Sequence, residues 1–436
     1  MRGHRLLQAA TAACVAMVAF AACAPGPTVD EPAASGPKTI DMSSFRGQQL
    51  DYVYFTDGPD EAATRDLIGK FEAETGAKVN LQIVPYADLE KTLQARINSG
   101  TPPHVARVQA WAPYQDALVD MKTYFGAQFP DQFVAGPATA AQAADGRMLG
   151  VPSDLTMNGP LVNVDAFNKA GVPLPTTAKP WTWDEMVAAA TAVQKANGME
   201  SAIAIDKSGH RLSTVLSEFG TAMIGPDGKE GLDPVKAQAA LGTLNDLVRS
   251  GAMLKDFWLE SGTRYKGANE QFLAQQVAVY ISGNWQVAQF AKNATFTWAA
   301  APNPCAERCG GFPGGKYMVA FSGSANPDLG AAFAEWMNRA DAQKTFAQVA
   351  YWMPTRKELV DGGVTYPSRQ EDMATFLADV AATPEGTYAA NGSPAFTPAA
   401  TLLVKEVSAM FAGQKDPAAT AQAVKAGVAE LVAKGS

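Results

Sequence analysis

The order strand–helix–strand–helix–strand near the start of this chain restricts its fold more than any other feature. Residues 50–55, 79–84 and 105–108 have the apolar, partly alternating character of strands. Two amphipathic helical patterns lie between them and end at Gly76 and Gly100. Because parallel strands are joined by helical crossovers, this order predicts an α/β fold with a parallel sheet.

The size and charge of the chain limit its organisation and its partners. The chain has 436 residues, which is too long for one ordinary core, so two lobes or domains are expected. It carries 43 acidic and 35 basic residues, a net charge of -8. A nucleic-acid partner is disfavoured because phosphates require a basic surface.

The rest of the chain predicts further helices and two more strands. The capping box Thr182–Glu185 begins a helix that runs to about residue 196, and residues 234–249 form another helix. Residues 277–281 and 317–321 have strand character, and residues 398–434 are helical.

The N-terminus has the parts of a targeting segment. Arg2 and Arg5 precede an apolar, uncharged run over residues 6–22, which predicts a signal peptide at 1–22; a membrane-spanning helix is the alternative. The small residues before Cys23 resemble a bacterial lipobox, which implies cleavage there and lipid attachment to its sulfur. The alternative is an ordinary signal peptide with an incidental cysteine. Residues 23–46, rich in Pro, Gly and Ser, would then be a flexible tether to the outer face of the cytoplasmic membrane.

Two of the four cysteines remain once Cys14 is assigned to the signal and Cys23 to the anchor. Cys305 and Cys309 are close in sequence, and outside the cytoplasm such a pair predicts a disulfide. Zinc is the alternative, but it takes four ligands and no histidine lies near the pair in sequence.

Five segments in order resemble one family. They are residues 67–105 with their "SGTPPHV" end, 145–172 ("DGRMLGVPSDLTMNGPLVNVDAFNKAGV"), 180–190 ("PWTWDEMVAAA"), 280–286 ("YISGNWQ") and 314–359. Together they are similar to the extracellular solute-binding proteins of ABC importers for sugars, the class of maltose-binding and glycerol-phosphate-binding proteins. Gln109 stands where that family often has an acidic residue, and the pair Cys305 and Cys309 is not a general family feature.

The resemblance implies a two-lobed periplasmic-binding-protein fold of type II, with the ligand in a cleft between the lobes. Residues 47–155 with about 318–365 would form the first lobe, and residues 156–317 with about 366–436 the second. The chain would cross between lobes near residues 152–158 and 317–322, and again after about residue 361.

The segment "YISGNWQ" supplies the central candidates for ligand binding. An indole such as Trp285 can lie against the C–H face of a sugar ring, and Asn284 can bond hydroxyls. Ser282 and Gly283 would let a ligand approach the backbone at a helix start. The alternative is a core tryptophan that packs a helix onto a sheet.

The other candidates each have a structural alternative. Trp111 is a second aromatic surface, or is folded inward by Pro113 and Tyr114. Asp57 would bond hydroxyls or cap a helix, and Asp154 and Asn158 would serve a sugar or a hinge turn. Arg356 would line the cleft or be a surface charge. The remaining candidates are Gly315, next to Gly314, with Tyr317 and Trp352, and more weakly Glu218 and Phe219.

The sequence therefore predicts a lipid-anchored, monomeric receptor rather than an enzyme. It would bind a mono- or oligosaccharide, an amino sugar or a sugar phosphate and deliver it to an ABC permease, without metal or cofactor. A glycoside hydrolase is one alternative, but no motif identifies a second carboxylate to accompany Asp154. A structural surface lipoprotein is the other.

Overall fold

The computed structural model describes residues 37–56, 59–260, 265–384 and 386–435. The strands are β1 (Gln49–Tyr54), β2 (Lys78–Ile83), β3 (Val105–Val108), β4 (Val151–Asn163), β5 (Ser201–Ile205), β6 (Val277–Gly283), β7 (Trp298–Ala300) and β8 (Pro313–Ala320). The α-helices are α1 (Glu61–Thr75), α2 (Tyr86–Asn98), α3 (Met121–Phe125), α4 (Ala135–Ala140), α5 (Val164–Ala170), α6 (Trp183–Asn197), α7 (Gly209–Glu218), α8 (Pro234–Arg249), α9 (Asp256–Leu259), α10 (Ala268–Leu273), α11 (Gln286–Asn293), α12 (Pro327–Trp336), α13 (Ala340–Ala350), α14 (Lys357–Gly362), α15 (Gln370–Ala382), α16 (Gly386–Gly392), α17 (Phe396–Phe411) and α18 (Pro417–Gly435). Short 3-10 helices span Met42–Phe45, Ala112–Ala117 and Phe129–Gln132.

The strands form one sheet in the order β2-β1-β3-β8-β4-β6-β5, and β7 pairs with β4. β1 is parallel to both β2 and β3, with α1 and α2 as the crossovers. This confirms the predicted β-α-β-α-β unit. β4 and β8 are antiparallel to each other, and each also pairs antiparallel with a strand of one half of the sheet.

The first crossover helix shows how local sequence forms these elements. Leu67, Ile68 and Phe71 place one apolar stripe of α1 in the core. Gly76 then ends the helix in the left-handed region, at a φ of 75°, where a residue without Cβ is least strained.

Buried apolar side chains form two clusters. The first core is built on β1, β2 and β3 with α1, α12 and α13, and the second on β5 and β6 with α6, α7, α8, α17 and α18. β4 contributes to both: Val151 lies in the first core and Leu161 in the second, whereas the core residues of β8, such as Val319, lie in the first. All thirteen residues of β4 are buried, so this strand and β8 form the connection between the cores.

Several expectations are changed by the structure. Phe45 lies in the first core, so the folded unit already includes residues that were expected to belong to the tether. The C-terminal helical segment is two helices, α17 and α18, separated at Gly413, whose φ is 76°. The expected signal peptide and Cys23 lie outside the described residues. Of the helices that the structure describes, none combines the length and apolar character needed to span a membrane.

Candidate functional site

A cavity of about 210 Å³ lies where elements of the two cores face each other. Its walls come from residues that follow strands or begin helices, and its floor comes from β4 and β8. The lining residues are Phe55, Tyr86, Gln109, Thr156, Asn158, Ser208, His210, Arg211, Trp285, Gly314 and Lys316. Because the residues after β1, β3, β5 and β6 converge here, the cavity lies at the carboxyl ends of these strands, where α/β sheets commonly bind ligands.

Trp285 presents its indole to this cavity. It follows β6, begins α11 and is only half-buried, unlike a core tryptophan. The guanidinium carbon of Arg211 lies 4.2 Å from the centre of a ring of the indole, a cation–π contact that holds the side chain in place. A Cβ at Gly283 would lie 2.1 Å from the indole, so only glycine permits this position of Trp285.

Asn158 organises the cavity floor and is itself fully engaged. Its Nδ2 donates to Oγ1 of Thr214 at 2.8 Å and to the carbonyl oxygen of Phe312 at 2.9 Å, and its Oδ1 accepts from Arg211 at 2.9 Å. Arg211 also pairs with Asp206 at 3.3 Å. The position of Arg211 over Trp285 therefore depends on the orientation of Asn158.

His210 is a neutral polar group in the wall. Burial and the nearby charge of Arg211 lower the pKa of His210 to about 3, so the ring is uncharged at neutral pH. Its Nε2 lies 2.6 Å from Nε2 of Gln109 and 3.2 Å from Oδ1 of Asn391. Gln109 also accepts from the hydroxyl of Tyr86. This row of polar groups crosses from α2 and β3 to α7 and α16.

The carboxylate of Asp154 is beneath the cavity and is not exposed to it. Asp154 is 1% exposed and pairs with Arg107 at 3.3 Å and with Lys316 at 3.5 Å. Arg107 is stacked on Trp352, with 4.3 Å between the guanidinium carbon and the ring centre, and lies 4.6 Å from that of Phe55. Asp154 and Trp352 therefore stabilise the base of the site, and neither is in the cavity lining.

Two residues of "YISGNWQ", together with Gly315, support the site without lining it. The hydroxyl of Ser282 donates to Asp206 at 2.6 Å. The side chain of Asn284 accepts the main-chain N–H of Met157 at 3.0 Å, which ties β6 to β4. Gly315 passes close to β4, since a Cβ there would lie 2.9 Å from the carbonyl oxygen of Asp154.

The remaining sequence candidates are elsewhere. Trp111 is buried, donates to the carbonyl oxygen of Ala140 at 2.7 Å and lines a separate cavity. Arg356 is 5% exposed, bonds the carbonyl oxygen of Asn338 and stacks on Phe133, so it is neither a cleft residue nor a surface charge. Tyr317 is buried within β8.

Glu218, Phe219 and Asp57 are the last three sequence candidates. Glu218 is buried and accepts the indole N–H of Trp183 at 2.7 Å, away from the cavity, and Phe219 packs beside Trp183. Asp57 lies outside the described residues.

The predicted disulfide between Cys305 and Cys309 is present. The loop that it closes holds the end of α7: the N–H of Arg308 donates to the carbonyl oxygen of Glu218 at 3.1 Å, and its guanidinium donates to Oγ of Ser217 at 2.6 Å. Because the start of α7 carries His210, this loop fixes the wall of the cavity from its far end.

Most of the wall is not predicted from the sequence; the unpredicted residues include Tyr86, Ser208, His210, Arg211 and Lys316. The signal for three of them was present. The apolar run "SAIAI", β5, precedes Ser208 by three residues, so these residues follow a strand as Trp285 does. The sequence predicts helices at about residues 182–196 and 234–249, and the strand between them is missing from the predicted elements.

Comparisons with known proteins identify the fold and the family. A family model described as bacterial extracellular solute-binding protein matches residues 66–376. No curated protein matches the chain.

Among solved structures, an ABC substrate-binding protein from Listeria monocytogenes in complex with cycloalternan is 17% identical, with a TM-score of 0.75 over 88% of this chain and 98% of that chain. The GacH receptor of Streptomyces glaucescens, solved free and with acarbose, is 19% identical, with a TM-score of 0.74 over 88% and 99%. The maltose-bound MalE3 of T. maritima is 16% identical, with a TM-score of 0.74 over 88% and 100%. These likenesses confirm the expected α/β fold of two-lobed periplasmic binding proteins.

Proposed function

Because the chain belongs to the bacterial extracellular solute-binding protein family, we propose that it captures a carbohydrate and delivers it to the membrane permease of an ABC importer. The observation that carries this proposal is the cavity between the two cores, in which the half-buried indole of Trp285 is surrounded by hydrogen-bonding side chains. A sugar ring has an apolar face for the indole and hydroxyls for the polar groups. The solved relatives that bind cycloalternan, acarbose and maltose support the same ligand class.

The charge of the lining narrows the class of carbohydrate. Arg211 and Lys316 are cations, and among the described lining residues there is no carboxylate. Such a lining disfavours the ammonium group of an amino sugar, since like charges repel. We therefore place a neutral saccharide or a sugar phosphate ahead of an amino sugar.

The two cores support the proposed lobes over most of their length, with residues 47–155 and about 318–365 in the first and 156–317 and about 366–436 in the second; Tyr351 and Met353 pack in the second core instead. β4 and β8 would act as the hinge, because β4 belongs to both cores and β8 pairs along it. A ligand that contacts residues of both lobes favours the closed form only through these additional contacts.

The family places the protein outside the cytoplasm. We propose that residues 1–22 are removed as a signal peptide and that Cys23 carries lipid, so that a monomeric receptor stays at the membrane surface near its permease. Several acyl chains would suffice for stable anchoring, at ~0.8 kcal/mol per buried methylene.

We also propose that the protein releases its ligand unchanged. The family consists of binding proteins, and Asp154, the carboxylate considered for hydrolysis, is held between Arg107 and Lys316 below the cavity. Glycoside hydrolysis requires two carboxylates that flank the scissile bond.

Intrinsic fluorescence of the full chain, titrated with maltose, maltotriose, glucosamine and glucose 6-phosphate, tests the function. We expect saturable binding of at least one neutral or phosphorylated sugar and no new product by chromatography. Trp285→Ala should abolish the response, whereas Trp181→Ala should keep it, because Trp181 is equally half-buried but stacks on Phe167 away from the cavity. Binding that survives Trp285→Ala would contradict the proposed site, and product formation would contradict the receptor.

A further inference from the structure

A buried carboxylate behind the cavity is connected to its floor by two hydrogen bonds in series. Asp379, in α15, accepts the main-chain N–H of Asn303 at 3.0 Å and its Nδ2 at 3.1 Å. The same Nδ2 donates to the main-chain carbonyl oxygen of Asn158 at 2.6 Å. Asn158 in turn holds the guanidinium of Arg211 beside the indole of Trp285.

We propose that Asp379 is a positioning residue of the ligand cavity, which sets the geometry of Asn158 through Asn303 and so makes ligand affinity depend on its own ionisation. This inference rests on the proposed function, in that the cavity above Asn158 is taken as the ligand site.

The surroundings of Asp379 raise the pKa of its carboxyl into the physiological pH range. Asp379 is 5% exposed, and burial raises its pKa to about 7, against the opposing effect of the two bonds from Asn303.

Several of the described elements around Asp379 carry charged groups. Glu218 in α7 is buried, and burial raises its pKa well above the ordinary value, with Asp379 adding to the effect. The positive charge of Arg308, in the disulfide loop, has the opposite effect and lowers the pKa of Glu218. Asp154 lies on β4, which packs against α15, and its carboxylate forms ion pairs with the cations described above. Asp372 lies two turns earlier on α15 and pairs with Arg369.

The two protonation states have different hydrogen-bonding capacity. Ionised Asp379 is only an acceptor, and it holds Nδ2 of Asn303 in the position that reaches Asn158. Oδ1 of Asn303 is buried and has no hydrogen-bond partner among the described residues. Protonated Asp379 is a weaker acceptor and carries an O–H donor. Oδ1 of Asn303 can accept a hydrogen bond from this O–H once the side-chain amide of Asn303 rotates. This rotation withdraws Nδ2 from Asn158, so the ionised form is the one that holds the cavity floor.

The experiment compares affinity for maltose at about pH 6 and about pH 8, measured with the full chain by calorimetry. We expect binding to be about fivefold weaker at the lower pH, a typical coupling between linked sites. Asp379→Asn should give the same affinity at both pH values. Asp372→Asn is the matched control on the same helix; it removes a buried carboxylate that contacts Ala300 and Arg369 and not the cavity, and it should keep the wild-type dependence.

A second arm needs no ligand. In the free protein, the side-chain amide resonance of Asn158, followed by NMR, should shift with a midpoint near pH 7 and lose this shift in Asp379→Asn. Asn303→Ala should also remove the shift of Asn158 while the carboxyl of Asp379 still titrates, which separates a relay from a general structural effect.

Equal pH dependence in wild type and Asp379→Asn, or an Asn158 resonance that does not respond to pH, would overturn the proposal. If maltose binds at neither pH, the proposed function fails for that sugar, and the NMR arm still decides whether Asp379 positions Asn158.

Discussion

Replacing Asp154 by asparagine separates a stabilising role from a ligand-binding role. The side chain keeps its shape but loses the charge that faces Arg107 and Lys316, whose side chains are 1% and 9% exposed. Removing one partner of a buried ion pair leaves buried charge less well compensated, which typically costs ~3–5 kcal/mol. An isosteric amide retains some of the hydrogen bonding, so the lower end, ~3 kcal/mol, is expected.

The size of the folded unit converts this cost into a shift of melting temperature. Residues 37–436 form one compact unit. At ~2 cal/mol/K per residue, the unfolding entropy of roughly 400 residues is ~0.8 kcal/mol/K. A loss of ~3 kcal/mol therefore lowers Tm by about 4 °C.

Thermal unfolding followed by circular dichroism measures the shift, with Asp145→Asn as control. Asp145 pairs with Arg147 at the surface, where its side chain is 54% exposed, so its replacement should change Tm by less than about 1 °C. Equal melting temperatures for the two variants would refute the reasoning. A large loss of saccharide affinity at unchanged Tm would instead return Asp154 to the ligand site.

Three further predictions concern the cavity, the pH dependence of stability and the lipid anchor. Gly283→Ala places a Cβ 2.1 Å from the indole of Trp285, so saccharide affinity measured by calorimetry should fall at least about tenfold with an unchanged circular-dichroism spectrum. The pKa of Asp379, about 7 against an ordinary 3.8, is raised in the folded state, so its contribution to stability is complete below about pH 4 and is lost as the pH rises through 7. In urea unfolding, the free energy of unfolding of Asp379→Asn should therefore rise by ~4 kcal/mol relative to that of the wild type between about pH 4 and pH 8. Parallel plots of unfolding free energy against pH for the two proteins would contradict this. Cys23→Ser should abolish labelling with radioactive palmitate in a bacterial host, and Cys14→Ser should not; label retained in Cys23→Ser would exclude the anchor.

The sequence predicts the elements whose patterns are local. The crossover unit, the capping box Thr182–Glu185 and the disulfide are set by residues close together in the chain, and all three are present. The position of Trp285 could also be predicted from the sequence, because a strand end followed by Gly-Asn-Trp is a local signal.

The partners of buried polar side chains are not local, and here the sequence fails. Asn284, expected to bond ligand hydroxyls, bonds the main chain of Met157, 127 residues away. Arg356, expected in the cleft or on the surface, is held by residues such as Asn338 and stacks on Phe133, more than two hundred residues earlier. A polar residue near a strand end therefore marks the region of a site, but only the fold decides whether it faces the ligand.

The cavity also shows why residues behind a site matter as much as those that line it. Arg211 and Trp285 meet because Asn158 fixes the guanidinium and Gly283 leaves room for the indole. Asn158 in turn donates to the carbonyl oxygen of Phe312 and accepts from Nδ2 of Asn303, which follow it by 154 and 145 positions in the chain. These buried contacts hold the polar groups of the binding protein in place before the ligand arrives. They therefore reduce the conformational entropy that the side chains lose when the ligand binds. Variants of the supporting residues should therefore weaken affinity without changing which saccharide is preferred, whereas changes at Trp285 and Arg211 should alter both.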